Sequence, residues 1–260
     1  MENIEGQSKK IFCIFQIVVG LDSGAVVMVT LTKEEDGDRI IHHLEQFSPH
    51  MDGAQHDDML TGLDTWTRDS SVATCGLDNR VCVYNPALTP VHVYSPVHEG
   101  HVVDISCNQN NTHVFATCSR NVDTCVRVWD TRQPKPARTV TRLPDTCPPS
   151  SVAWVGDNKL VVGTMTGHVY LVDTDTCTMS LDTCVGDRPV YKLRVSPDNN
   201  KVAVAMDDAV VNVVKINGDN LEILMNKDTC HRDYVRGLAW SDPSTLWSAA
   251  WDHSVVKHKL

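Results

Sequence analysis

At 260 residues and 42% hydrophobic content the chain is long enough for one sizeable core, and a formal charge of −10 excludes a surface built to displace counterions from nucleic acid. Ten cysteines would suit a disulfide framework, but a chain of this length buries enough to do without one. The polar opening MENIEGQSKK is not a secretory signal, and IFCIFQIVVG is too short to cross a membrane before the charge at Asp22.

Reduced thiols in the cytosol or nucleus are therefore expected, a setting in which the sequon Asn110-Asn111-Thr112 has no consequence. The acidity suits basic partners such as Arg-rich or Lys-rich tails, or serves solubility alone.

In chain order, residues 1–15 diverge from the rest of the chain. QIVVGLDSGAVVMVTL then supplies two strands and RIIHHLEQF a third, a partial repeat whose first strand is not recognisable in residues 1–13. From there a pattern recurs on the apolar anchors Leu63, Ile105, Val152, Leu193 and Leu238, at intervals of 42, 47, 41 and 45 residues. Each anchor leads to a second apolar strand (SSVATCG, HVFATCS, KLVVGT, KVAVAM, TLWSAAW) and then a third (RVCVYNP, CVRVWDTR, HVYLVDT, VVNVVKI, SVVKHKL). No stretch sustains a 3.6-residue period, which excludes a helical domain. Spacing of roughly 40 to 45 residues with strands in each unit is that of WD40 propeller blades. The expected fold is all-β, a WD40 β-propeller with about six repeats at 16–48, 56–97, 98–144, 145–184, 185–229 and 230–260. The first repeat lacks its first strand and the last lacks its fourth. KKIFCIF is the only candidate for a closing strand, which a propeller needs because an unpaired edge invites aggregation.

Fixed positions recur inside the units. The third strand carries Tyr84, Trp129, Val172, Val214 and His258 at one register, and Trp129-Asp130 is the dipeptide that names WD repeats. Six residues earlier stand Asp78, Asp123, Thr166, Asp208 and Asp252, where a turn carboxylate can accept backbone N–H groups. Seven residues before the anchors stand His56, His98 and His231, with Gly186 in one repeat. These histidines and aspartates are expected to pair structurally and not catalytically, since repeats place them identically in several units while a catalytic pair needs only one.

No Gly-rich phosphate loop, GxSxG elbow or HExxH is present. His50, His56, Asp57 and Asp58, with His42 and His43 upstream, fit no common zinc spacing. No catalytic residue, metal or cofactor is assigned. Cys75/Cys82 and Cys118/Cys125 each span one hairpin and could face each other, as small apolar packing or as disulfides; Cys177/Cys184 share only the spacing. Asp-Thr-Cys occurs five times, starting 18, 40, 23, 30 and 35 residues after the preceding anchor. Only Asp123 falls on a repeat position, so the tripeptide reads as junctional insertions.

Several stretches are more specific than the repeat itself. LDSGAVVMVTL, QHDDML, VRVWDTRQPKPA, HVYLVDT, HRDYVRGLAWS and WDHSVVKH resemble the methylosome WD-repeat adaptor family from about Gln16 onward. That resemblance implies a non-catalytic scaffold in a hetero-oligomer with a symmetric-dimethylating protein arginine methyltransferase. Such a scaffold presents basic substrates such as histones and Sm proteins, contacts neither nucleic acid nor membrane directly, and resides in cytoplasm and nucleus. It also implies a seven-bladed ring whose first blade would lie upstream of this chain. Partner contacts are expected on inter-strand loops, at Arg232, Asp233, Tyr234, Asp57, Asp58 and Glu99. The element Trp129-Asp130-Thr131-Arg132 offers an alternative of another class, in which Arg132 docks a substrate receptor onto a cullin-RING ubiquitin ligase.

Overall fold

A computed structural model describes residues 10–36, 39–47, 56–120, 125–136, 138–143, 147–179, 183–227 and 230–260. They form six antiparallel sheets and, among the described residues, no helix. The first sheet is β1 (Lys10–Gly20), β2 (Val26–Asp36) and β3 (Arg39–Phe47); the second is β4 (Leu60–Thr65), β5 (Val72–Gly76), β6 (Val81–Tyr84) and β7 (Pro90–Tyr94). The third runs β8 (Val102–Cys107), β9 (Val114–Ser119), β10 (Cys125–Asp130) and β11 (Arg138–Arg142). In the fourth, β12 (Pro149–Val155), β13 (Lys159–Thr164) and β14 (His168–Asp173) carry a fourth strand split into β15 (Thr178–Met179) and β16 (Thr183–Cys184), both paired with β14. The fifth is β17 (Val190–Val195), β18 (Lys201–Met206), β19 (Val211–Asn217) and β20 (Asn220–Lys227), and the sixth is β21 (Val235–Asp242), β22 (Thr245–Ala250) and β23 (Val255–Lys259).

The sheets stack in chain order as propeller blades. The first strands of the second to sixth sheets pack in series, β4 on β8, β8 on β12, β12 on β17 and β17 on β21, while β1 meets β4. Each neighbouring pair encloses its own apolar cluster, the five clusters serving five sheet-to-sheet contacts. Second strands of the second to fifth sheets are therefore covered on both faces. VATCG is buried at every position, and VFATCS, KLVVGT and KVAVAM at all but the first. Strands buried on both sides read as continuous apolar runs in place of alternation. Outer strands such as β7 and β15 are largely exposed.

All five anchors lie on first strands, and the third-strand residues Tyr84, Trp129, Val172, Val214 and His258 are all buried. β1 starts at Lys10, and Lys10–Phe15 pairs with Leu31–Glu35 as a continuation of that strand. KKIFCIF thus supplies no separate closing strand from its described residues, because Lys10–Phe15 continue the β1–β2 pairing. The expected facing of cysteines is also corrected. Cys75 pairs with Val81 and Cys82 with Thr74, while Cys118 pairs with Val126, next to Cys125. Adjacent registers point to opposite faces of a sheet, and all four are free thiols.

The same irregularity recurs in each of the five first strands. Register slips by one residue between Leu60 and Gly62, Val102 and Asp104, Pro149 and Ser151, Val190 and Lys192, and Val235 and Gly237. The skipped residues are Thr61, Val103, Ser150, Tyr191 and Arg236, each two positions before its anchor. A bulge re-aims the side chain it carries, and here it does so five times toward one place.

Candidate functional site

The turn residues form buried hydrogen-bond networks. In the second sheet His56 Nδ1 meets Asp78 Oδ1 at 2.9 Å and its Nε2 meets Thr74 Oγ1 at 2.9 Å; Asp78 also accepts the N–H groups of Asp57 and Arg80. In the third, Thr117 Oγ1 lies 2.8 Å from His98 Nε2 and accepts the Trp129 indole N–H at 2.9 Å. Asp123 lies outside the described residues; Cys125 Sγ is 3.4 Å from His98 Nδ1. The fifth sheet has Gly186 at this position, where a Cβ would meet Met206 Cε at 2.7 Å, so a thioether occupies the space an imidazole fills elsewhere. Asp208 Oδ1 there accepts the Val210 N–H. In the sixth, Ser248 Oγ bridges His231 Nε2 at 2.6 Å and His258 Nε2 at 2.7 Å, an imidazole replacing the indole. Asp252 accepts the Ser254 hydroxyl and the Arg232 N–H, which holds its carboxyl well below the usual range.

Two features went unseen in the sequence. Cys147 stands before the first strand of the fourth sheet and meets the turn residue Thr166, Sγ to Oγ1 2.6 Å, so one Asp-Thr-Cys cysteine does share a repeat role. Cys230, His231 and His258 offer ligand atoms within 4.8 Å of one another, though both imidazoles already bond Ser248.

The five bulged residues, from five consecutive sheets, line a central cavity of about 520 Å³. Five ionisable side chains face it: Asp104, Arg120, Lys192, Asp207 and Arg236. Asp104 accepts Lys192 Nζ and the Ser151 hydroxyl, both at 2.6 Å, tying the third, fourth and fifth sheets together. Arg236 Nη2 donates to Asp207 at 2.7 Å, and the guanidinium carbon sits 4.0 Å from the Tyr191 ring centroid, 4.8 Å from Tyr234 and 4.9 Å from Trp251. Two bulged hydroxyls stitch sheets instead, Thr61 to the Val102 carbonyl and Ser150 to that of Val190, each at 2.7 Å.

Comparison with known proteins agrees with this architecture. The family described as WD domain, G-beta repeat, matches residues 89–130, the stretch from β7 to Asp130 that contains the His98, Thr117 and Trp129 network. The chain carries a WD40 repeat there and an all-β propeller architecture around it. It is 27% identical to methylosome protein WDR77 of Xenopus laevis over 249 residues, 94% of this chain and 70% of that one. It is 35% identical to SIR4-interacting protein SIF2 of Saccharomyces cerevisiae over 120 residues, covering 39% of this chain and 22% of that one. Human echinoderm microtubule-associated protein-like 3 is 24% identical over 63% of this chain and 18% of its own length.

In the WD40 blades the loops entering first strands and the turns after second strands emerge at one end, as the His56 to Asp78 contact requires. Asp57, Asp58, Glu99, Arg232, Asp233 and Tyr234 are all exposed at that end. Asp57 pairs with Arg80 at 2.6 Å, and Asp58 and Asp233 accept the N–H groups of Met59 and Tyr234. Of the six, only Tyr234 joins the aromatic group around Arg236, with Trp251 at 5.7 Å. Arg132 lies at the opposite end, where third strands turn back, and grips Asp130 with two bonds of 2.8 and 2.6 Å.

Residues that sequence reasoning missed are Tyr191, Arg236, Trp251, Lys192, Asp104, Asp207 and Arg120. For Asp104, Tyr191, Lys192 and Arg236 the signal was a charged or aromatic residue one or two places before an anchor, in VVDISC, VYKLRV and VRGLAWSD, while Arg120, Asp207 and Trp251 each directly follow a second strand. Thiol chemistry finds no support in the core: burial pushes Cys75 up to about 12 and Cys82 to about 11, and raises Cys107 and Cys118 well above the usual value.

Proposed function

We propose that this chain is a non-catalytic WD-repeat adaptor of a protein arginine methyltransferase complex, which stabilises the enzyme and presents basic substrates such as histones and Sm proteins to it. The observation that carries this reading is the similarity to the methylosome protein WDR77 over 94% of the chain. The hydrogen-bond geometry supports a scaffold: His56, His98 and His231 spend both ring nitrogens inside buried networks. A net charge of −10 favours Arg-rich and Lys-rich substrates and disfavours nucleic acid. Residence in cytoplasm and nucleus, and a part in snRNP assembly, belong to the same proposal. The ligase alternative receives less support, because the Arg132 guanidinium is already committed to Asp130.

Co-purification of the chain with the symmetric-dimethylating methyltransferase of the same organism, followed by methylation of a basic tail with and without it, tests the proposal. A stable complex with raised turnover is expected. Failure of the two to co-purify from cells expressing both overturns it.

A further inference from the structure

The central cavity carries more cationic capacity than the fold consumes. Three cations and two carboxylates line it. Lys192 is matched by Asp104 and Arg236 by Asp207. Among the described residues Arg120 has no carboxylate: its guanidinium touches only the Met165 sulfur, at 3.7 Å. Arg236 Nη1 is buried with no hydrogen-bond partner, even though Tyr191, Tyr234 and Trp251 fix the guanidinium in place. A buried N–H left unspent costs free energy and calls for an explanation. The same rings stay open to solvent, Tyr191 by 47%, Tyr234 by 41% and Trp251 by 59%, and clustered exposed apolar surface marks interaction sites.

We propose that the central mouth binds an acidic segment of a partner protein, seating one Asp or Glu carboxylate between Arg120 and Arg236 while a flanking apolar residue covers Tyr191 and Trp251. The charge count selects the ligand. One uncompensated cation matches a single carboxylate, whereas a nucleic acid would bring a polyanion against a molecule of net charge −10. Guanidinium groups suit carboxylates because their fork matches the two oxygens, and the cavity volume is within the range of ordinary ligand sites. The site rests on the residues of the cavity and not on the net acidity invoked for basic substrates, so it stands whether or not the methyltransferase reading does.

Fluorescence anisotropy of the full chain with a fluorescein-labelled peptide carrying a single Glu beside a Tyr among otherwise neutral residues tests it. Saturable binding is expected, weakened about tenfold or more by Arg120→Gln, the loss of one bond to a charged group, and also reduced by Trp251→Ala. Arg120→Gln should keep the wild-type melting temperature, because among the described residues the side chain's one hydrogen bond is to sulfur, which separates lost binding from lost folding. No binding by the wild type, equal binding by Arg120→Gln, or tighter binding of fluorescein-labelled oligothymidylate or of a phosphoserine peptide would each overturn the proposal.

Discussion

Thr117 shows how one hydroxyl can organise a blade. It receives the Trp129 indole N–H and faces His98 Nε2, all three side chains being buried. Thr117→Val keeps the volume and strands both ring nitrogens, which costs about 1–3 kcal/mol, seen as a lower urea midpoint with an unchanged slope. Asp252 is a turn residue whose charge contributes to acid stability. Its folded pKa lies below the ordinary 3.8, chiefly through the Ser254 hydroxyl and then the Arg232 N–H. The unfolded chain therefore takes up a proton first as pH falls, so this stabilisation is complete above about pH 4 and fades below it. Urea midpoints at descending pH should fall more steeply for the wild type than for Asp252→Asn. The turn residues were legible because five units repeat them at fixed offsets. The mouth residues were not: a bulge leaves no trace in apolar patterning, and position minus two accepts Thr, Val, Ser, Tyr or Arg.

Among elements, the second strands decide how closely blades approach. Gly163 in β13 faces β17 of the next sheet, where an added Cβ would lie 2.4 Å from Val190 Cγ1 and 2.8 Å from its Cβ. Gly163→Ala should destabilise by about 1–3 kcal/mol through overpacking. Val190→Ala should relieve part of that cost, so the double variant will be more stable in denaturant than the sum of the singles requires. Additive effects would show that the contact does not limit the approach. Strand identity was readable from β-branched runs and turn residues. Which strands are covered on both sides was not, since that depends on neighbouring sheets separated by about one repeat in the sequence. Paired tryptophans show the same dependence: Trp154 donates to the Ser106 carbonyl and Trp240 to that of Arg194, each reaching back one sheet from two places after its anchor.

At the scale of the whole molecule, stability passes from blade to blade through local contacts, as in other repeat arrays, and a buried ion pair reaches past the neighbouring blade. Lys192 of the fifth sheet reaches Asp104 of the third across the mouth, while Ser151 and the Val152 N–H of the fourth bind the other oxygen of the same carboxylate. With Asp104 3% and Lys192 17% exposed at the side chain, water screens this pair little. Asp104→Ala should cost about 3–5 kcal/mol, because it leaves a buried ammonium, a hydroxyl and an amide without their acceptor. Lys192→Met in that background removes the stranded charge and should restore part of the loss, whereas Lys192→Met alone leaves the carboxylate still bonded by Ser151 and Val152. A coupling of about 0.5–3 kcal/mol in the resulting cycle is the size expected for contacting groups. Chemical denaturation of the four proteins measures it. A coupling near zero would mean that neighbouring sheets alone set the spacing of the third and fifth blades, and that the ion pair only follows it.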